Sequence, residues 1–187
     1  MNKKQVLLCM LVLATAELSF ACSDQSTATN RANKVQETKG KGNEALSSAV
    51  SERIKKTLKD YEAIREALAA DRLNDVVGIA SRLEASAEAA KKEAPPDVTS
   101  RLKEMKSATV NLKAGGDADA QRKIFGDLSR AVVSLLVEHR ALSKNRYIFE
   151  CPMAQGYKKW IQTKKELENP YMGGRMLKCG SASKWSI

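Results

Sequence analysis

The residues of this chain best suited to chemistry lie near its C-terminus. Cys151-Pro152-Met153 and Met176-Leu177-Lys178-Cys179 supply two thiols and two thioethers, with Met172 between them. Thiolates and thioethers are soft donors, suited to Cu(I) or Ag(I) and, for thiolate, to Zn. Each half carries one sulfur of each kind at short spacing, so folding the segment back on itself brings four sulfurs together. Hard cations need clusters of oxygen ligands, and this region offers only Glu150, Glu166 and Glu168. There are no C-x-x-C pairs of the zinc-ribbon or thioredoxin kind. A second chemistry competes: Cys151 and Cys179 can close a disulfide around a loop of about 28 residues, worth roughly 3–4 kcal/mol. Residue types alone leave both open.

Other candidates have plainer roles. His139 is the single histidine and falls on the apolar face of a helix that points toward the Cys/Met region. It reads as a half-buried structural histidine, with a metal role as the alternative. Met105 reads as core filler, and Trp160 and Tyr171 as anchors of the C-terminal segment. No nucleophile–base pair, G-x-S-x-G, H-E-x-x-H, P-loop or dinucleotide fingerprint is present, so the chain does not read as an enzyme.

The N-terminus reads as an export signal. Lys3 and Lys4 precede an uncharged apolar run from Val6 to Ala16, followed by Ser19-Phe20-Ala21-Cys22. That run is about half the ~20 residues needed to span a bilayer. Ser19-x-Ala21 suits ordinary signal peptidase, whereas Cys22 suits acylation as a lipoprotein. Simple secretion leaves three cysteines in an oxidising compartment; lipidation of Cys22 leaves a pair, and is favoured for that reason. The expected protein is therefore exported and periplasmic, held to a membrane through its lipid alone.

Residues 1–22 form this signal. Residues 23–44, polar with Val35 the only large apolar side chain, form a tether reaching roughly 25 Å. The folded domain is expected over 45–180, with 181–187 as a tail. The sequence carries a net charge of +10, and from Arg140 onward ten Lys/Arg stand against three Asp/Glu, a local balance of +7. Export sets nucleic acid aside as a partner. It leaves an anionic surface, an acidic protein or simple solvation of a basic face.

Helical periodicity positions the rest. Leu46, Val50, Ile54, Leu58, Tyr61, Ile64 and Leu68 make one stripe ending near Asp71. Leu73, Val76, Val77, Ala80, Leu83, Ala87 and Ala90 make a second, stopped by Pro95-Pro96. Asp97 is expected to cap a third helix, with Val98, Leu102, Met105 and Leu112 inward, ended by Gly115-Gly116. Asp117 or Asp119 opens a fourth, facing inward through Phe125, Leu128, Val132, Leu135, Leu136 and His139. The pattern predicts a mainly α protein: an antiparallel four-helix bundle with a loop-rich Cys/Met C-terminal cap. Within that cap Tyr147–Glu150 reads as a short strand or extended segment, and the stretch around Trp160 has helical potential.

Cys151-Pro152-Met153-Ala154, Gly156, Trp160, Asn169-Pro170-Tyr171, Gly173, Met176 and Cys179-Gly180 together resemble a bacterial envelope domain of unknown function. It occurs alone, often as a lipoprotein, or joined to CusB-type copper/silver efflux adaptor subunits. Gln121-Arg122, Phe125 and Leu128-Ser129 resemble its final helix, and the likeness runs from about Val50 to Gly180. The resemblance implies a helical bundle with a Cys/Met cap, a role in heavy-metal handling and a heavy-metal efflux adaptor as partner. It also implies Cys151, Met153, Met176 and Cys179 as metal ligands, with Met172 departing from the aromatic more usual there. The expected function is that of a soft-metal accessory that buffers Cu(I) or Ag(I) or delivers it to an efflux system. The alternative is a disulfide-stapled bundle that binds an envelope protein or surface without metal.

Overall fold

The computed structural model describes residues 46–187. The signal segment, Cys22 and the tether lie outside the described residues. The chain is mainly helical, with α1 (Ser48–Ala69), α2 (Leu73–Lys91), α3 (Pro96–Lys113) and α4 (Ala118–Glu138). A small sheet follows: β1 (Tyr147–Glu150), β2 (Lys159–Gln162) and β3 (Ser181–Ala182).

The helix ends follow local chemistry. Ser47 starts α1 by accepting a hydrogen bond from the Val50 amide at 3.2 Å, and Asp117 starts α4 by accepting from Ala120 at 2.8 Å. Both satisfy amides that lack an intrahelical partner. Pro96 opens α3 at a position where its missing N–H goes unnoticed. Pro95 therefore occupies the capping position expected for Asp97, which instead sits in the first turn and bonds to His139.

The apolar stripes face inward, and Ile54, Leu58, Ile64, Leu68, Leu83, Leu102, Met105, Leu112 and Phe125 are almost fully buried. Val77 is an exception, exposed at 39% while Ile79 is buried in its place. Positions 76, 79, 80, 83, 87 and 90 hold the i, i+3, i+4 spacing of one helix face, and 77 falls about 100° from 76. Successive helices pack on one another, whereas α1 and α4 touch sparingly and β2 lies against both. Tyr61 and Phe125 stack between α1 and α4, ring centroids 5.5 Å apart.

Tyr147–Glu150 is a strand, one of the two readings expected for it, and a small sheet builds on it. The Trp160 segment is a strand, not a helix: β2 pairs antiparallel with β1 in the register Ile148↔Ile161 and Phe149↔Trp160. A four-residue segment gains little from i→i−4 bonding, whereas adjacent Trp and Ile side chains suit a strand covered on both faces. Residues 181–187, set apart above as a tail, provide β3, which pairs with β1 through Phe149↔Ala182 and Glu150↔Ser181. Trp185 then lies under the Arg140 guanidinium, 4.6 Å from ring centroid to Cζ, and Lys159 Nζ donates to Ser186 O at 2.7 Å.

Candidate functional site

Both Cys/Met pairs sit on hydrogen-bonded four-residue turns. On the first, Ala154 N–H donates to Cys151 O at 3.2 Å, with Met153 inside the turn; on the second, Cys179 N–H donates to Met176 O at 2.9 Å. The first turn hangs from the hairpin, because Cys151 N–H continues the ladder to Lys158 O at 3.0 Å. The second is held by Asn169, whose Nδ2 donates to Cys179 O at 2.6 Å. The same side chain accepts through Oδ1 from the amides of Tyr171 (2.8 Å) and Met172 (3.2 Å), and its backbone N–H donates to Leu177 O at 2.8 Å. One buried asparagine thus fixes the whole 169–179 loop.

The pairing of β1 with β3 brings the ends of this segment together. Cys151 and Cys179 are unbridged thiols lying side by side. Partial burial pushes the Cys179 thiol above its usual range, and the neighbouring Cys151, through its charge and a hydrogen bond, adds to the shift. Cys151 is fully buried, while Cys179 is partly open to solvent. Gly180 follows with φ of +134°, and a Cβ there would lie 2.7 Å from Glu150 O and 3.0 Å from the Trp160 ring. Only glycine lets the chain pass this closely.

The methionines are placed differently from one another. Met105 is buried core. Met153 and Met176, each on a cysteine turn, are 61% and 45% exposed. Met172 is half-buried and shares with Met153 a cleft of about 210 Å³, also lined by Asp119, Lys123, Tyr171 and Arg175. Neither cysteine lines that cleft. His139 ends α4 and its Nε2 lies 3.1 Å from Asp97 at the start of α3, its side chain only 10% exposed. Among the described residues no three of His, Cys, Asp and Glu gather at metal-binding spacing, so His139 is apart from the two cysteines. The donors that neighbour each other are the thiols of Cys151 and Cys179.

Polar side chains that the helical periodicity did not single out lock the C-terminal segment to the helices. Arg122 of α4 is buried and donates to Pro170 O (3.2 Å) and Leu68 O (3.3 Å), and it pairs with Asp71. Asp71, left-handed at φ 57°, also accepts from the Gly174 amide at 2.8 Å. Arg65 of α1 is fully buried against Glu62 (3.1 Å) and Glu168 (3.5 Å), and donates to Glu168 O at 3.2 Å. Gln162 accepts from Trp160 Nε1 at 2.9 Å and donates to Lys164 O and Glu166 O. Charged residues inside amphipathic helices were the available signal: Arg65 lies one residue from Ile64, and Arg122 three from Phe125, on or beside the buried face.

No curated protein and no solved structure matches the chain. The Cys151–Gly180 motif, on which the resemblance chiefly rested, lies beyond the one span that a family model matches. That span, residues 57–144, matches the model of a family described as a protein of unknown function (DUF3347), and it takes in most of α1 and all of α2, α3 and α4.

Proposed function

We propose that this protein is an exported accessory that binds Cu(I) or Ag(I) through Cys151 and Cys179, assisted by the thioethers of Met153 and Met176. The observation that carries this reading is the meeting of two free thiols, 28 positions apart, on turns that each present an exposed methionine. Both thioethers stand open to solvent, where a soft cation can reach them without disturbing the core. Two thiolates around a monovalent ion also leave a site of low charge, which the surrounding lysines and arginines tolerate. When bound, the ion would exchange between thiolate and thioether donors without redox chemistry. The protein's part is to hold Cys151 through the hairpin and Cys179 through Asn169.

In this reading the helices form an antiparallel bundle that carries a Cys/Met cap, and acylated Cys22 holds the domain beside a membrane. The metal passes to a heavy-metal efflux adaptor.

The test is titration of reduced, metal-free protein with Cu(I) or Ag(I) against a competing chelator. One ion per chain is expected, with far weaker uptake of Ca or Mg. Cys151→Ser and Cys179→Ser each nearly abolish binding. Met153→Leu and Met176→Leu weaken it with the fold intact, because the exchange roughly conserves volume. His139→Gln has the smallest effect. Wild-type affinity in both methionine variants would overturn the four-sulfur site. A reduction-resistant Cys151–Cys179 bond with no metal uptake would replace it with a stapled interaction module.

A further inference from the structure

The pairing of Glu150 with Ser181 makes the two thiols neighbours, but they do not face the same surroundings. Cys151 has no exposed surface and belongs to the buried apolar cluster that also holds Phe149, Ala154, Trp160 and Tyr171. Cys179 is partly exposed, on a turn flanked by exposed Lys178 and Gly180. A small molecule arriving from solvent therefore meets one sulfur and not the other. The backbone around both is already fixed: Cys151 by its bond to Lys158 O, and Cys179 by Met176 O and Asn169 Nδ2. The β1–β3 pairing at Glu150↔Ser181 holds the two ends of the segment together. Joining the sulfurs thus closes a loop whose ends have already met, and it requires no refolding.

We propose that Cys179 and Cys151 form an ordered dithiol, in which Cys179 is the site of S-thiolation by low-molecular-weight disulfides and Cys151 is the resolving thiol. The Cys179 thiolate attacks one sulfur of a disulfide RS–SR, forming Cys179–S–S–R and expelling RS⁻. The Cys151 thiol gives up its proton and attacks Cys179 Sγ, forming the Cys151–Cys179 bond and expelling the second RS⁻. Two protein thiols are oxidised, one small disulfide is reduced to two thiols, and the protons end on the leaving groups. Exposure decides the order, because exchange needs access to the attacking sulfur. The inference goes beyond metal binding and does not need it: the reaction belongs to the metal-free, reduced protein, and the formed disulfide withdraws both thiolates from any metal.

The experiment treats reduced, metal-free protein with oxidised glutathione, quenches samples with an alkylating agent and reads mass and peptide maps, which separate Cys151 and Cys179 from Cys9 and Cys22. Wild type is expected to lose two hydrogens across Cys151 and Cys179 and to retain no glutathione there. Cys151→Ser retains one glutathione on Cys179. In Cys179→Ser, thiolation of Cys151 is slower by at least about tenfold. Because Cys151 is buried and its variant can fail to fold, pulse alkylation of wild type gives an independent reading: Cys179 is labelled first. Equal labelling rates, thiolation of Cys151 in Cys179→Ser as fast as that of Cys179 in Cys151→Ser, or a wild-type mixed disulfide that never resolves would overturn the proposal. Since no metal is present, failure here leaves metal uptake standing, and failure of metal uptake leaves this exchange standing.

Discussion

The amide of Ile161 donates a hydrogen bond to the hydroxyl of Tyr61 at 3.1 Å, joining β2 to α1 across 100 residues of sequence. The direction of the bonds that follow is determined. Ser129 Oγ spends its hydrogen on Lys159 O at 2.8 Å, so the Tyr61 hydroxyl donates to Ser129 across their 2.9 Å contact. Tyr171 then gives Lys159 O a second donor at 2.8 Å. The ladder to β1 uses the backbone groups of 158, 160 and 162. The groups of Lys159 and Ile161 face away from it, and the hydroxyls of Tyr61, Ser129 and Tyr171 meet the Ile161 N–H and the Lys159 carbonyl there.

This asymmetry ranks two conservative variants. Tyr61→Phe leaves the buried Ile161 N–H without a partner and removes the donor to Ser129, a cost of roughly 1–3 kcal/mol. Tyr171→Phe removes one of two donors to Lys159 O and leaves the other in place, so its cost falls at the low end of that range. Urea unfolding of the two variants measures the difference. Equal losses, or a larger loss for Tyr171→Phe, would show that the relay does not run as drawn.

The same tyrosines set an alkaline limit. Burial raises the Tyr61 and Tyr171 hydroxyls well above the usual tyrosine range, and pushes Tyr157 up to about 12. In each folded site the neutral phenol is favoured, so the folded state binds more protons than the unfolded state once pH passes the unfolded value of about 10. Their contribution is whole below about pH 10 and is lost as pH rises toward the folded values, at about 1.4 kcal/mol per pH unit for each group. Denaturation midpoints should hold steady to about pH 10 and then fall. Tyr61→Phe should fall less steeply, and an unchanged slope would remove Tyr61 from the account.

Much of the fold was legible, because helix stripes such as Val50–Ile54–Leu58–Tyr61 repeat over five or more turns and Pro95-Pro96 and Gly115-Gly116 punctuate them. The sheet was not. β2 has four residues, too few for a period of two to stand out, and β3 has two. The approach of Cys151 to Cys179 was expected, and what that omission hid is the element that brings it about. Spacing placed Cys151 and Cys179 in one segment, but only the pairing of residues 181–182 with β1 makes them neighbours, and those residues read as a tail. Polar core residues such as Asn169 and Gln162 were hidden for a related reason. Their partners are backbone groups in irregular loops, which leave no pattern in side-chain types. His139 is half-buried, as its place at the end of an apolar face suggested, but its partner Asp97 was not legible, because the histidine lies just past the last helical residue, Glu138.

Two glycines should respond in opposite ways to alanine. Gly78 lies exposed inside α2 with no atom within 4 Å of a built Cβ, so Gly78→Ala should stabilise by roughly 0.5–1 kcal/mol through helix propensity. Gly173 has φ of +56°, and its Cβ would press into the Asp71–Arg122 pair. Gly173→Ala must displace a buried guanidinium from its carboxylate, a change that costs several times the Gly78 gain. Thermal midpoints moving in opposite directions are the expected result. A neutral Gly173→Ala would mean that the 172–175 turn does not rest on that ion pair.

Trp160 is the largest fully buried side chain, and it ties the sheet to the cysteine loop. It stacks on Phe149 with centroids 5.6 Å apart, meets Tyr171 edge-on at 5.9 Å and donates to Gln162, which in turn holds residues 164–168. Trp160→Ala should therefore cost roughly 3–5 kcal/mol, the usual loss for a buried large aromatic. Its effect should also be uneven along the chain. The contacts it removes lie among β1, β2, Tyr171 and Gly180, whereas α2 and α3 pack on each other and on their neighbouring helices. Hydrogen exchange of the variant should rise first in β1, β2 and the 169–180 loop while the α2–α3 amides stay protected. Loss of protection in all four helices together would mean that sheet and helices unfold as one unit, and that the cysteine loop has no stability of its own to lose.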